Sequence, residues 1–146
     1  MSTRAVYTFK DDIGTFHVYK HLDGYPEGAI AFIKAAFEAE SPRCEASDLA
    51  VSFIVANKRP KSSTQLTPHY DEHKDLEYRY EITKDETEDA TNINDVKNMF
   101  FDFEKGNFVV SAFKRISVLG DEPIYDLIFS GSLDEFEEFT EKNKAN

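Results

Sequence analysis

The chain is short of cysteine, of long apolar runs and of positive charge, and each shortage excludes something. Its single cysteine, Cys44, has no second thiol to pair with, so no internal disulfide staples the fold, in keeping with a reducing compartment. No apolar run approaches the roughly 18–20 residues that span a bilayer as a helix. The opening residues Met1–Tyr7 carry no apolar signal-peptide core, so a cytosolic protein without membrane contact is expected. Gly-x-Gly-x-x-Gly, a phosphate loop ending in Gly-Lys-Ser/Thr and a Gly-x-Ser-x-Gly elbow are all missing, which removes the usual nucleotide-binding and serine-hydrolase signatures. Cys44, after Ser41-Pro42-Arg43, matches no cysteine-nucleophile pattern either. No cofactor is expected. With 17 basic against 28 acidic residues the net charge is −11, and a surface of that sign repels long nucleic acids. A small phosphorylated ligand held by a few local cations is not excluded.

What is present is a chain of 146 residues with 13 Phe and 7 Tyr, enough apolar material for one packed domain over residues 1–146. Charge is unevenly spread: residues 1–60 hold 7 basic and 8 acidic groups, net −1, whereas residues 61–146 hold 10 and 20, net −10. Arg4–Phe9 and Thr15–His21 are β-rich runs around Asp11-Asp12-Ile13-Gly14 and predict a hairpin. In the second run Phe16, Val18 and Lys20 fall on one side, and His17, Tyr19 and His21 on the other. Asp23-Gly24 predicts a turn, and Pro26 starts a helix that runs through Ala39. Ser47-Asp48 before Leu49–Ala56 predicts a second helix, although its β-branched residues also suit a buried strand. Leu76–Thr83 alternates as a strand, Met99–Phe103 and Asn107–Ile116 flank a further hairpin turn, and Ile124–Phe129 is a last strand. Ser132-Leu133-Asp134-Glu135 is a capping box opening a helix with Leu133, Phe136 and Phe139 on one side. The expected class is α+β, an antiparallel sheet with two or three helices packed on it.

Four groups of residues could carry chemistry. His69-Tyr70-Asp71-Glu72-His73 has the H-x-x-E-H spacing of inverted zinc peptidases, in which two histidines one helical turn apart grip Zn²⁺ and the glutamate is the base. Pro68 before it and the strand beginning at Leu76 leave barely two helical turns, so a polar loop is the expected reading. Lys58-Arg59-Lys61 is the concentrated basic patch of this acidic chain, and arginine there would fork onto phosphate oxygens. The junction Tyr19–Gly28 brings Lys20, His21 and Tyr25 beside a helix N-terminus, whose amides suit an anion. Arg79, between Tyr78 and Tyr80 on an alternating strand, faces away from both, toward either a surface ion pair or a ligand cleft.

Ser2-Thr3-Arg4-Ala5-Val6-Tyr7, His21-Leu22-Asp23-Gly24-Tyr25-Pro26-Glu27-Gly28-Ala29, Phe53-Ile54-Val55-Ala56-Asn57 and Glu77-Tyr78-Arg79-Tyr80 together resemble the phage-encoded anti-Thoeris sponge family, in order over residues 2–83. The resemblance implies a non-enzymatic anti-defence protein of the host cytoplasm. Such a protein binds a cyclic ADP-ribose isomer made by TIR-domain proteins, in some members also cyclic oligonucleotides, and starves the defence effector. It further implies a homo-oligomer with ligand sites near subunit interfaces. Lys20, His21, Tyr25, Asn57, Lys58, Arg59 and Arg79 are then the expected ligand-binding residues. One position departs, since the family carries arginine where this chain has Val55. If that arginine holds phosphate, Lys58 or Arg59 must substitute. Two other readings come from the residues alone: an acidic protein that binds a basic host protein directly through residues 61–146, and a zinc hydrolase built on His69, Glu72 and His73.

Overall fold

The computed structural model describes residues 3–39, 45–58, 64–69, 76–84, 108–116 and 124–144. Strands β1 (Ala5–Lys10) and β2 (Thr15–Lys20) form the expected hairpin, pairing antiparallel with Tyr7 opposite Val18. Helices α1 (Pro26–Glu38) and α2 (Ala46–Asn57) follow, then the short strand β3 (Thr64–Thr67). After these come β4 (Tyr78–Lys84), β5 (Phe108–Ile116), β6 (Ile124–Gly131) and α3 (Leu133–Lys144). The six strands make one sheet in the order β3-β2-β1-β4-β5-β6. Among the described residues the fold is therefore α+β with three helices in a single domain, as expected. The sheet is mixed rather than wholly antiparallel, because β1 and β4 run parallel while every other pair is antiparallel. That direction follows from the excursion through α1, α2 and β3, which returns the chain to the sheet beside β1.

The helices pack on one face of the sheet over one core, and Tyr7, Phe9, Tyr80, Ile82, Val110 and Ala112 point into it. Phe53 of α2 and Phe136 of α3 meet these residues from above. Tyr7 stacks on Tyr80 at 5.1 Å across the parallel pair, and Tyr80 stacks on Tyr78 at 6.0 Å. The segment Leu49–Ala56, whose pattern suits either helix or strand, is helical: Ala46, Leu49, Ala50, Phe53 and Asn57 fall on one side of the helix and are buried. β3 carries no alternation that would reveal it and owes its state to pairing with β2. The capping box of α3 forms as the sequence predicts, with Glu135 N donating to Ser132 Oγ (3.1 Å) and Ser132 N to Glu135 Oε1 (3.0 Å). Met99–Phe103 lies outside the described residues. No helix among the described residues is long and apolar enough to cross a membrane.

The start of α2 is held from a distance. Ser47 and Asp48 do not cap it; the N-cap position is Glu45, without a side-chain cap. Instead Asp11, in the β1–β2 turn, accepts Ala46 N at Oδ2 (2.8 Å) and the amides of Ile13 and Gly14 at Oδ1 (2.9 and 3.0 Å). Burial alone would raise the Asp11 pKa, but these three donors and the charge of Lys84 outweigh it and hold the carboxyl below the ordinary aspartate value. Asp11→Ala is expected to cost about 0.5–2 kcal/mol near neutral pH, as for a lost helix cap. A carboxyl with a lowered folded pKa stabilises fully above its unfolded value and loses that contribution as pH falls through the folded one. In denaturant melts the gap between the variant and the wild type should narrow steadily below about pH 4. An equal gap at every pH would show that the amide bonds do not depend on the carboxylate charge.

Candidate functional site

The expected ligand residues that the structure describes are not gathered in one place, and Lys20 and Arg79 lie on opposite sides of the sheet. Lys20 lies on the helix side and is almost wholly buried. Its ammonium donates to the backbone oxygen of Asn57 (3.0 Å) and to Thr64 Oγ1 (3.1 Å), and sits 4.2 Å from the centroid of the Phe32 ring. Thr64 Oγ1 donates to the same Asn57 oxygen at 3.0 Å. The Asn57 side chain donates from Nδ2 to the carbonyls of Phe32 (2.9 Å) and Phe53 (3.0 Å). One knot of polar groups thus ties the end of β2 to α1, α2 and β3. Desolvation pushes the Lys20 pKa below its usual value, against the opposing pull of Asp23. In this arrangement Lys20 and Asn57 make structural bonds, and both are almost wholly buried among the described residues.

Tyr25 occupies the N-cap position of α1, partly exposed, with no side-chain cap bond. The turn before it is shaped by close approach. Asp23 has φ 56°, and a Cβ on Gly24 would lie 2.7 Å from the Ala5 methyl and 2.9 Å from Thr3 O. A Cβ on Gly28 would run into the carbonyl oxygen of Asp23. Gly24 N donates to Thr3 O (2.9 Å), and the Tyr80 hydroxyl donates to Gly24 O (2.6 Å). The segment His21–Gly28 is therefore a packed strand–helix joint. Lys58 sits exposed at the C-cap position of α2. Arg59 and Lys61 lie outside the described residues, as do Cys44, Glu72 and His73. His69 is exposed, and its backbone oxygen accepts from Thr67 Oγ1 (3.0 Å). No cluster of three metal-ligating side chains occurs among the described residues.

The other face of the sheet carries no helix among the described residues, and it brings His21 and Arg79 to the same side. Along it the register aligns Gln65, Tyr19, Val6, Arg79, Phe113 and Leu127 in one row. Arg79 donates from Nη2 to Glu81 Oε1 (3.3 Å), and its guanidinium carbon lies 5.4 Å from the ring centroids of both Phe113 and Tyr125. The Tyr125 hydroxyl in turn donates to Leu76 O (3.1 Å). His21 Nδ1 is reached by Arg4 Nε (3.3 Å) and the Tyr19 hydroxyl (3.1 Å). Arginine only donates, so His21 Nδ1 is the acceptor of the Arg4 bond. A second imidazole, His17, bonds Thr8 Oγ1 through Nδ1 (2.8 Å) one row further along. The chemistry offered here is a guanidinium against two aromatic rings and a carboxylate, on the same face as a second guanidinium that donates to a histidine. That set suits an anion joined to a flat ring.

Sequence reasoning placed Arg79 on the correct side of its strand but missed Arg4, Tyr19, Phe113 and Tyr125. Alternation could have put each on a face of its own strand. The strand order that gathers them is non-local and leaves no mark in the pattern. Comparison with family models, with curated proteins and with solved structures finds no match.

Proposed function

We propose that this protein is a non-enzymatic binding module that sequesters a small cyclic nucleotide signal, of the cyclic ADP-ribose class named by the family resemblance. The observation that carries the reading is the setting of Arg79. Its guanidinium lies 5.4 Å from the centroids of both the Phe113 and Tyr125 rings and beside Glu81, on the sheet face that also bears Arg4 and His21. A phosphorylated ligand needs a forked cation for its oxygens and aromatic surface for its base, and each stacked base is worth about 1–3 kcal/mol. The net charge of −11 fits a small ligand better than a polymer, because a local cationic face can hold one or two phosphates on a protein that repels many. Binding of this kind leaves the ligand chemically intact.

Calorimetry against glycocyclic ADP-ribose and cyclic trinucleotides tests the reading. Near-stoichiometric binding is expected, with the ligand recovered unchanged after heat release. Arg79→Ala should weaken it by about 10- to 150-fold, the worth of one hydrogen bond to a charged group. Silence toward all of these ligands, or turnover of the bound one, would sink the proposal.

A further inference from the structure

The outward side of α2 is apolar where a solvated helix would be polar. Val51 and Val55 are 57% and 71% exposed, one helical turn apart, on the side turned away from the buried Ala46, Leu49, Ala50, Phe53 and Asn57. Valine forms helix less readily than the alanine, glutamate or lysine that suit an exposed helical position, so local structure gives no reason for the pair. The apolar surface continues beyond the helix. Thr64 Oγ1 donates to Asn57 O (3.0 Å), which sets β3 against the end of α2. Leu66, two residues further on and therefore on the same side of β3, is also exposed. Charge along the helix is sorted by end: Glu45 and Asp48 lie at its start, and Lys58 lies at its C-cap. That order suits the dipole of the helix itself, and it also makes the outward face complementary to a reversed copy of itself.

We propose that this face of α2 is the seam of a homodimer, in which two copies of the chain pack α2 antiparallel about a two-fold axis level with Phe53. The positions themselves select a second copy over a different partner. Val51 and Val55 are evenly placed about position 53, and so are Asp48 and Lys58. A two-fold axis there sets Val51 against the partner's Val55, and Asp48 level with the partner's Lys58, the self-complementary arrangement that an isologous contact requires. Each acidic helix start then meets the basic end of the other helix, and the two helix dipoles oppose. Asp48 keeps its contacts within the chain and gains an ammonium across the seam. Net charge selects the same face: copies of −11 repel one another, whereas residues 1–60, which include α2, total only −1. Helices of about three turns bury less than the roughly 800 Å² per partner of a standard interface, so the dimer is a weak one. The seam is independent of the ligand role given to Arg79.

Sedimentation equilibrium of the full chain, at concentrations up to about 1 mM, tests the seam. Wild type should pass from monomer to dimer within that range. Val55→Glu, a change at an exposed position, should melt like wild type and dimerise at least about tenfold more weakly. Lys58→Glu should also weaken the dimer, because it sets like charges level with each other. Adding Asp48→Lys to Lys58→Glu should restore association, since opposite charges again meet across the seam. Melting followed by circular dichroism establishes that each variant is folded. A wild type that stays monomeric throughout, or a dimer that Val55→Glu leaves intact, overturns the proposal. A folded double variant that associates no better than Lys58→Glu alone overturns the antiparallel register, and assembly to a trimer overturns the two-fold axis.

Discussion

Phe53→Ala is expected to lower the melting temperature by roughly 10–20 °C, from a loss of about 3–5 kcal/mol for emptying a buried phenylalanine site. Phe53 is fully buried, and its ring centroid lies 4.6 Å from that of Tyr7, 5.4 Å from Phe9 and 6.4 Å from Phe32. Those three rings belong to β1 and α1, so the side chain connects the second helix both to the sheet and to the first helix. The cavity left by alanine is ringed by aromatic groups that stack on one another, including Tyr7 on Tyr80, and cannot collapse without breaking that stack. Phe53→Leu should lose only about 1.5 kcal/mol or less, because most of the volume is kept. Thermal melts followed by circular dichroism distinguish the two. Equal losses in both variants would place the energetic weight on aromatic stacking rather than on filled volume.

Lys20→Ala has the second large effect, and its meaning is functional as well as structural. The side chain is 2% exposed and its ammonium bonds Asn57 O and Thr64 Oγ1. Removing it deletes a buried four-carbon stem from above Phe32 and two donors from the junction of β2, α2 and β3. A loss of about 2–4 kcal/mol is expected, in the range for a buried unbranched side chain cut to alanine. Part of the loss is offset because a desolvated charge no longer has to be buried. As a structural tie, Lys20 should leave ligand affinity within about twofold of wild type when both proteins are folded, well under the tenfold that 1.4 kcal/mol represents. A tenfold loss in the folded variant would instead make it a ligand contact, as the sequence pattern alone suggests. The contrast with Arg79→Ala is then in binding: Lys20→Ala keeps its affinity, whereas Arg79→Ala is expected to lose about 10- to 150-fold.

The two residues show how far a site can be read before the fold is known. Both Lys20 and Arg79 are single cations on alternating strands, and alternation assigned each to a side. Nothing in the alternation says which side the helices cover. Lys20 shares its side with Val18, which α2 buries, while Arg79 shares its side with Glu81, on the face left without helices. Lys20 is 2% exposed among the helices, whereas the Arg79 side chain is 14% exposed on the helix-free face, and only the latter reaches solvent enough for the ligand role proposed above. His21 and Arg79 lie 58 residues apart, yet both belong to the helix-free face, because β1 stands between β2 and β4.

What this sequence determined by itself is local. Periods of two and of 3.6 residues marked the strands and helices, the serine–glutamate box opened α3, Asp23-Gly24 and Pro26 joined β2 to α1, and each strand sorted its own side chains into two sets. What only the tertiary structure decided is neighbourhood. It made β1 and β4 parallel, gave β3 its state through pairing, brought Asp11 to the start of α2, and set Arg79 beside Val6 and Phe113. The physical reason is that side-chain direction follows from the backbone of a few residues, whereas strand order and register follow from burying one continuous apolar face, a condition that the whole chain meets together.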